Sequence, residues 1–339
     1  IDEFVMAFQH QDTQDQAQCW QDILNDFKKN KPMNRLVCGD VGFGKTEIAI
    51  RAAFVAVLSG LSVVVLAPTT ILTKQLQHSF LTRLQPFGVS VKSLSSLSLN
   101  QTKNIDDFIN KKIDVLIGTS SLLYQPKILK RCGLFIVDEE HRFGVKDKEA
   151  VLQLNPSVNF LSLSATPIPR SLELSLNNIR SISLIQTPPL ERKPIICFVS
   201  EFDIKIVSGA ILKEIGRGGQ VFFVDNSVEN LHKIERLLLK KIPNISMGLI
   251  FSNLQKKKLV GAMDGFISGK TQVLLSTTII ESGIDIGQAN TIIINNAHLF
   301  GLSQLYQLRG RVGRSSSQAF AWFLFPLKKH TGDAKKRIE

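Results

Sequence analysis

The chain contains the stretch Gly39-Asp40-Val41-Gly42-Phe43-Gly44-Lys45-Thr46. A glycine, four residues, a second glycine and Lys-Thr form a phosphate-binding loop when they join a strand to a helix. The mainly apolar residues 35–38 predict that strand, and the alanine-rich residues 48–57 predict that helix. Glycines let backbone N–H groups turn towards phosphate, and the helix N-terminus adds a positive dipole. We therefore predict a nucleotide site in which Lys45 reaches the β- and γ-phosphates and Thr46 holds Mg²⁺.

Length and charge limit the class of protein. With 339 residues the chain exceeds a typical single domain, so we expect two. Lys and Arg number 41 against 29 Asp and Glu, a net charge of +12. Up to Leu190 there are 20 basic and 17 acidic residues, and from Glu191 onwards 21 and 12. This excess favours a polyanionic partner, and a solvated basic surface is the alternative.

The cysteines and the apolar stretches indicate the compartment. The four cysteines lie far apart without a Cys-x-x-Cys pair, namely Cys19, Cys38, Cys132 and Cys197. Neither a disulfide framework nor a zinc site is predicted, and reduced thiols in a cytoplasmic protein are the simplest interpretation. No apolar stretch approaches 18 residues and no signal peptide is recognised, so no membrane association is expected. We interpret a chain that begins at Ile1 as a piece of a longer protein.

Strand and helix patterns alternate along both halves. In the first half the predicted strands are 62–66, 89–94, 113–117, 134–137 and 160–163, and the predicted helices are 13–29 and 72–84. In the second half the strands are 195–199, 220–224, 273–275, 292–294 and 319–325, and the helices are 204–217, 228–241, 254–268 and 302–308. The proline-rich residues 185–194 are interpreted as a linker. The alternation predicts right-handed crossovers and a parallel sheet in each half.

Polar residues follow two of the predicted strands. Strand 134–137 runs into Asp138-Glu139-Glu140-His141, which we expect to face the phosphate loop from a neighbouring strand end. Asp138 is predicted to bind Mg²⁺ and Glu139 to orient or deprotonate the attacking water. An exposed acidic turn is the alternative. The residues 164–167, Ser-Ala-Thr-Pro, are predicted to lie between the nucleotide and whatever the protein moves, or to form a simple turn.

The second half carries an arginine-rich segment, Gln304-Leu305-Tyr306-Gln307-Leu308-Arg309-Gly310-Arg311-Val312-Gly313-Arg314. Grouping three arginines is costly unless they meet anions. An arginine delivered across a cleft to a γ-phosphate accelerates hydrolysis by about 10³–10⁵. A basic surface loop is the alternative, which the interleaved glycines and apolar residues disfavour.

Seven segments in order resemble the motifs of superfamily-2 helicases and translocases: 39–46, 67–70, 118–123, 138–141, 164–170, 276–286 and 304–314. The resemblance covers nearly the whole chain and is nearest to the motor of the transcription-repair coupling factor family, with RecG-type branched-DNA helicases second. Its most specific phrases are 36–47 and 301–315. It implies an α/β fold of two tandem RecA-like P-loop NTPase domains with mainly parallel sheets, at 1–187 and 188–339. The implied activity is ATP-driven movement along double-stranded DNA.

The resemblance also implies roles for individual residues. Phe8 and Gln16 fall where the family contacts adenine, and the nucleotide is otherwise held by Gly39, Asp40, Val41, Gly42, Phe43, Gly44, Lys45 and Thr46. The catalytic positions are Lys45, Asp138, Glu139 and the arginine-finger positions Arg311 and Arg314. Glu281, Gly283 and Asp285 fall in the motif that couples DNA to the nucleotide. The loops that touch the DNA backbone match Pro68, Thr69, Thr70, Gly118, Thr119, Thr277 and Thr278.

In the coupling factor family such a motor pushes a stalled RNA polymerase forward and helps to recruit excision-repair proteins. Four stretches depart from the family pattern: Thr13-Gln14-Asp15-Gln16, Ser95-Ser96-Leu97, Ile250-Phe251-Ser252-Asn253-Leu254 and Gly287. The ATP residues match the pattern, whereas some DNA-contact or coupling positions do not. A RecG-type helicase and a nucleic-acid clamp that has lost motor coupling therefore stay open as alternatives. Because the family's translocation hairpin only begins at 336–339, we expect this chain to hydrolyse ATP but to translocate poorly.

Overall fold

A computed structural model describes residues 1–94, 101–165, 180–189, 193–251, 254–277, 289–313 and 317–326. The chain divides into two compact units, Ile1–Leu190 and Glu191–Glu339. Several positions from the sequence analysis lie outside the described residues: 95–97, 166–170, 252–253, Thr278, Glu281, Gly283, Asp285, Gly287 and Arg314. No helix among the described residues is long and apolar enough to cross a lipid bilayer.

The described part of the first unit contains seven strands and seven helices. The strands are β1 (Asn34–Gly39), β2 (Ser62–Leu66), β3 (Val91–Leu94), β4 (Val115–Gly118), β5 (Cys132–Val137), β6 (Asn159–Ser164) and β7 (Ser181–Ile185). The helices are α1 (Asp2–Met6), α2 (Gln14–Phe27), α3 (Lys45–Leu58), α4 (Thr70–Leu84), α5 (Gln101–Ile109), α6 (Pro126–Arg131) and α7 (Val145–Leu154). Short 3₁₀ turns occur at Gln85–Phe87, Ser120–Tyr124 and Glu140–Arg142.

The seven strands form one parallel sheet in the order β3-β4-β2-β5-β6-β1-β7. Their carboxyl ends therefore share one edge, where ligand sites of such sheets lie. Strand β6 separates β1 from β5, so the expectation that Asp138 follows a strand next to the phosphate-loop strand is wrong. The two strands are twice the ~4.8 Å strand spacing apart. Order along the chain does not fix order in a parallel sheet, because each crossover can skip a position.

Two apolar clusters cover the two faces of this sheet. Val63 and Val65 of β2 belong to a cluster with α2, α3 and α4, whereas Val64 and Leu66 belong to the cluster with α6. Successive strand residues point to opposite faces, which produces this division. A strand buried on both faces reads as a continuous apolar run, as β2 does. That continuity is why the central strands could be predicted from the sequence.

The described part of the second unit contains six strands and four helices. The strands are β8 (Ile196–Glu201), β9 (Gln220–Val224), β10 (Met247–Ile250), β11 (Val273–Ser276), β12 (Ala289–Ile294) and β13 (Phe320–Phe325). The helices are α8 (Ile204–Gly216), α9 (Val228–Lys241), α10 (Lys256–Ile267) and α11 (Leu302–Arg309), with a 3₁₀ turn at Ala297–Leu299. The strands form a second parallel sheet in the order β10-β11-β9-β12-β13-β8.

Strands β7 and β10 and helices α1, α5, α6 and α7 were not predicted. Residues 185–194 were interpreted as a linker, yet Ile185 is the last residue of β7 and pairs with Gly39 of β1. Strand β7 alternates serine with isoleucine and leucine and lies at the sheet edge, so it lacks the apolar run of a central strand. The irregular residues that follow it begin at Gln186.

Three of the four thiols are inaccessible. Cys19, Cys38 and Cys132 are buried, and Cys197 on β8 is exposed. Burial raises the pKa of Cys19 to about 12, although a hydrogen bond with Ser183 acts in the opposite direction. Burial also raises the pKa of Cys132. No disulfide bond joins the four cysteines, all of which lie in the described residues.

A buried ion pair fixes α2 on the sheet. Arg35 of β1 is 6% exposed, and its guanidinium donates to Asp26 Oδ2 at 2.6 Å and to Ser183 Oγ at 2.6 Å. Burial alone would raise the pKa of Asp26, but hydrogen bonds and positive charge from Arg35 and Lys29 hold it below its ordinary value. Asp26 is therefore ionised in the folded protein, and it joins α2 to β1 while Ser183 adds β7.

We expect Asp26→Asn to lower the free energy of unfolding by about 3 kcal/mol at pH 7, because it removes one charge of a buried pair. The folded-state pKa of Asp26 lies below its unfolded-state value of about 3.9. Its stabilisation is therefore present above that pH and is lost as the pH falls through the folded-state pKa. Urea unfolding should show a difference from wild type that shrinks in acid. Asp106→Asn, at an exposed position on α5, is the control, and a pH-independent difference would contradict the prediction.

Candidate functional site

The predicted phosphate loop joins β1 to α3. Gly42 and Gly44 have φ angles of 81° and 78°, in the left-handed region that glycine adopts without a steric penalty. The ammonium of Lys45 donates to the carbonyl oxygens of Gly39 and Asp40 at 2.7 and 2.8 Å. It therefore lies over the loop, at the N-terminus of a 14-residue helix. A loop of this conformation at a helix N-terminus is an anion-binding cradle.

Gln16 on the first turn of α2 packs directly against this loop. Its Nε2 donates to the Phe43 carbonyl at 3.0 Å, and its Oε1 accepts from Thr13 N at 2.8 Å. A Cβ atom on Gly44 would collide with Gln16 Nε2, so position 44 needs glycine for space as well as for its φ angle. The structure thus brings Gln16 to the nucleotide loop. Its contact with adenine stays a prediction.

Phe8, the other residue predicted to meet adenine, lies in a cluster of ion pairs. The guanidinium carbons of Arg51 and Arg83 are 5.2 and 5.3 Å from its ring centroid. Arg51 is 1% exposed and pairs with Asp12 at 2.6 and 3.0 Å and with Glu47 at 3.1 Å. Burial alone would lower the pKa of Arg51, but these carboxylates hold it above its ordinary value. The cluster fixes the N-terminal segment to α3, the helix that begins at Lys45.

The acidic residues after β5 have distinct environments. Glu139 is 8% exposed and has a φ angle of 54°, which is uncommon outside glycine and is typical of functional sites. Glu140 accepts two hydrogen bonds from Arg180 Nη1 at 2.6 and 2.7 Å. Asp138 N donates to Leu66 O at 2.9 Å, which extends the pairing with β2 past the strand end. Glu140 is therefore committed to an ion pair, and Asp138 and Glu139 are the candidates for catalysis.

Two loops that resemble DNA-contacting motifs lie side by side, because β2 and β4 are neighbours. Thr69 caps α4 by accepting from Leu72 N at 3.3 Å. The half-buried Thr119 follows β4, with its Oγ1 3.2 Å from Ser121 Oγ. Both loops offer hydroxyl groups and backbone N–H groups at the sheet edge that carries the phosphate loop. Pro68 and Thr70 adjoin Thr69 there, and DNA contact by this group stays a prediction.

Gly118 has a packing reason for being glycine. A Cβ atom there would approach Leu94 O to 2.8 Å and Leu122 Cδ1 to 2.7 Å. The residue closes β4 against β3 and against the 3₁₀ turn that follows.

In the second unit, Thr277 follows β11 and its N–H donates to Ile250 O at 3.1 Å. The backbone of Thr277 thus joins the carboxyl ends of β11 and β10, and its predicted DNA contact is untested.

The arginine-rich segment begins in α11 and continues past its end. The guanidinium of Arg309 lies 4.7 Å from the Tyr306 ring centroid, and Leu308 and Val312 are fully buried. Arg311 is 1% exposed. The alternative of an exposed basic loop is therefore wrong for Arg311, because the apolar residues on either side bury this part of the segment.

A buried polar cluster around Asp225 in the second unit was not predicted from the sequence. Asp225 follows β9, is 0% exposed, and accepts from Asn295 Nδ2 at 2.6 Å, Asn296 Nδ2 at 3.1 Å and Ser227 N at 2.8 Å. The cluster links the carboxyl ends of β9 and β12, which are neighbouring strands. A polar residue directly after each of two apolar strands, Asp225 and Asn295, was the available signal.

The residues at this edge of the first sheet fit a nucleoside triphosphate and its metal ion. The loop supplies backbone N–H groups and an ammonium for phosphate oxygens. The hydroxyl of Thr46 and the carboxylate of Asp138 are the hard oxygen ligands that Mg²⁺ prefers. Both follow strands of one parallel sheet, so they belong to the same edge.

Two family models match the chain. The DEAD/DEAH box helicase model matches residues 13–174, and the helicase conserved C-terminal domain model matches residues 204–316. Each match falls within one of the two parallel α/β units. The predicted pair of tandem RecA-like domains is confirmed.

The chain is similar to transcription-repair-coupling factors along almost its entire length. It is 46% identical to the factor of Myxococcus xanthus over 342 residues, which cover 99% of this chain and 28% of that protein. It is 46% identical to the factor of Escherichia coli over 339 residues, which cover 99% of this chain and 30% of that protein. The chain thus spans less than a third of these relatives.

Solved structures show the same architecture. RecG bound to a three-way DNA junction superposes with a TM-score of 0.82 at 32% identity, over 99% of this chain and 45% of that chain. Mycobacterium smegmatis Lhr bound to single-stranded DNA and AMP-PNP has a TM-score of 0.73 over 99% of this chain and 49% of that chain, and its 20% identity indicates the fold alone. The chain belongs to the superfamily-2 helicases, the ATP-hydrolysing helicases and translocases.

Proposed function

We propose that this chain is the motor of an ATP-dependent double-stranded DNA translocase in transcription-coupled DNA repair, where it displaces stalled RNA polymerase. The main support is the phosphate loop and acidic pair at one sheet edge of a chain 46% identical to coupling factors over 99% of its length. Recruitment of excision-repair proteins is proposed for the whole protein. A cytoplasmic location follows from that role.

Residues of the first unit have distinct roles in the proposed hydrolysis of ATP. Lys45 and the loop N–H groups hold the phosphates, while Phe8 and Gln16 hold adenine. Thr46 and Asp138 hold Mg²⁺, which when bound neutralises phosphate charge. Glu139 orients the attacking water or accepts its proton, and its 8% exposure limits competition from solvent. In the second unit Arg311 and Arg314 act on the γ-phosphate, and Glu281, Gly283 and Asp285 couple nucleotide to DNA.

The proposed DNA contacts are to the phosphate backbone. In the first unit, the loops at 68–70 and 118–119 present hydroxyl groups and a helix N-terminus, which bind phosphate oxygens without reading base sequence. In the second unit, Thr277 and Thr278 make the same kind of contact. The net charge of +12 adds long-range attraction to the duplex.

A RecG-type branched-DNA helicase is a second candidate, which the TM-score of 0.82 and the 32% identity to RecG favour. A clamp with lost motor coupling is the non-enzymatic alternative. Displacement of a third strand from a DNA triplex, measured beside ATPase activity, distinguishes them. Displacement on linear duplex supports a translocase, and activity only on branched junctions supports the RecG-type candidate. DNA binding without any ATP hydrolysis would contradict both motor functions.

Lys45→Ala should abolish ATP hydrolysis by removing the ammonium that holds the phosphates. Glu139→Gln should bind ATP with near wild-type affinity and reduce turnover by about 10²-fold or more, since it removes the base. ATPase assays and fluorescent-nucleotide titration measure the two effects. The exposed Lys31→Ala and Glu149→Gln are matched controls. Turnover near wild type in Lys45→Ala or Glu139→Gln would refute the assignment.

Arg311→Lys and Arg314→Lys should lower turnover by about 10²-fold or more and spare most of the nucleotide affinity, because lysine keeps the charge but loses the planar fork. Circular dichroism must show that each variant is folded, since Arg311 is buried. Arg236→Lys, on the exposed face of α9, is the control. Wild-type turnover in both variants would exclude an arginine finger in this segment.

Duplex affinity should fall steeply and linearly on a plot of log affinity against log salt concentration, with similar slopes for unrelated sequences. Thr119→Val should weaken binding about threefold to tenfold on every sequence, as expected for one lost hydrogen bond. Thr82→Val, at an exposed site on α4, is the matched control. Fluorescence anisotropy measures both effects. Strong preference for one sequence, or affinity that ignores salt, would contradict backbone recognition.

A further inference from the structure

Asp15, the second residue of α2, holds the main chain that follows β7. Its Oδ2 accepts hydrogen bonds from Gln186 N at 2.8 Å and Thr187 N at 2.7 Å. Burial alone would raise the pKa of Asp15, but these backbone donors hold it below its ordinary value, so the carboxylate is ionised. Gln186 and Thr187 are exposed, and the first unit ends at Leu190. The carboxylate therefore fixes the chain just before it leaves that unit.

The next residue of the same helical turn, Gln16, contacts the phosphate loop. Its side-chain N–H donates to Phe43 O at 3.0 Å, and it fills the space beside Gly44. Consecutive residues on the first turn of α2 thus contact two different segments: Gln16 holds the loop, and Asp15 holds residues 186–187. Thr13 caps this turn through reciprocal hydrogen bonds with Gln16, which fix Asp15 and Gln16 relative to each other.

The loop and the end of β7 also touch each other directly. Gly39, the first residue of the loop, is the pairing partner of Ile185, the last residue of β7. A Cβ atom on Gly39 would lie 3.0 Å from Ile185 O, so the two backbones are too closely packed to admit a side chain at position 39 without a shift. The phosphate loop, the start of α2 and residues 185–187 therefore form a closed ring of contacts. Displacement of one member must move or break its contacts with the other two.

We propose that Asp15 is a positioning residue that couples nucleotide occupancy of the phosphate loop to residues 186–187, the segment through which the chain passes towards the second unit. The inference rests on the proposed function, because it takes ATP as the ligand of the loop. When the loop adjusts to phosphate, Gln16 moves with Phe43, and Asp15 moves on the same turn. Because coupling between two sites is reciprocal, the position of residues 186–187 also changes the affinity of the loop for nucleotide.

Hydrogen exchange on the full 339-residue chain tests this coupling without relying on activity. Asp15→Ala should speed exchange of the Gln186 and Thr187 amides by about tenfold or more, since each loses a charge-assisted hydrogen bond. In the wild type, the ATP analogue AMP-PNP should change exchange at these two amides. In Asp15→Ala, AMP-PNP should still protect the phosphate loop but should leave the two amides unaffected. An equal response to AMP-PNP in both proteins, or no response in the wild type, would overturn the inference.

Two conservative variants separate tethering from a simple charge effect on α2. Asp15→Glu keeps the negative charge that favours a helix N-terminus but moves the carboxylate by one methylene, whereas Asp15→Asn keeps the acceptor oxygen in place. If Asp15 tethers residues 186–187, Asn should retain more of the slow exchange than Glu. The opposite order would assign Asp15 to helix stabilisation and overturn the inference. Gln14→Ala, at an exposed position on the same turn, is the control.

Steady-state kinetics provide the functional readout. In Asp15→Ala, KM for ATP should shift, because the phosphate loop loses its coupling to residues 186–187. DNA-stimulated kcat should fall at least threefold, while kcat without DNA stays near wild type. A wild-type chain that hydrolyses no ATP would refute the proposed function as well. Alternatively, the wild type shows DNA-stimulated hydrolysis and Asp15→Ala has the same kcat, KM and amide exchange rates. That result would overturn the role of Asp15 and leave the proposed function intact.

Discussion

Strand β1 is paired on both sides, with β6 and with β7, and this double pairing determines where the nucleotide site forms. Backbone hydrogen bonds to both neighbouring strands fix the register of β1, so the position of Gly39 at the sheet edge is also fixed. Near the other end of the strand, Arg35 holds α2 and β7 through Asp26 and Ser183. The phosphate loop therefore begins from a residue that is fixed in the sheet. Within the loop, Gly42 and Gly44 adopt the positive φ angles that its conformation requires. The contacts of Gln16 and Ile185 then close around it.

The parallel sheets could be predicted from the sequence because most of their strands are buried on both faces. Runs such as Val63-Val64-Val65 and Gln220–Val224 need no partner to be recognised, and the predicted strands lie within a few residues of the observed ones. Strands β7 and β10 lack such runs, since both lie at sheet edges. Sheet order is a tertiary property, which is why the placement of β6 between β1 and β5 could not be predicted.

In the candidate site, too, contacts within one short motif could be predicted, whereas contacts between residues far apart in the sequence could not. Residues within one short motif, such as Gly44 and Lys45, carry their geometry in their spacing, and the structure brings them together. The pairing of Glu140 with Arg180 spans 40 residues, and the contact of Asp15 with Thr187 spans 172. No local pattern indicates such partners. Arg311 illustrates the limit, because its sequence neighbours suggested contact with an anion but gave no measure of its burial.

The distribution of thiols makes this protein convenient to label. A maleimide reacts with a thiolate, and the burial of Cys19 and Cys132 and their raised pKa values keep both in the unreactive thiol form. Cys38 is enclosed in β1. Cys197 on β8 is the exposed cysteine of the chain, so one fluorophore can be attached to the second unit of the native sequence without removing any other cysteine. A cysteine introduced at an exposed position of the first unit would then complete a donor–acceptor pair for following motion between the units during ATP turnover.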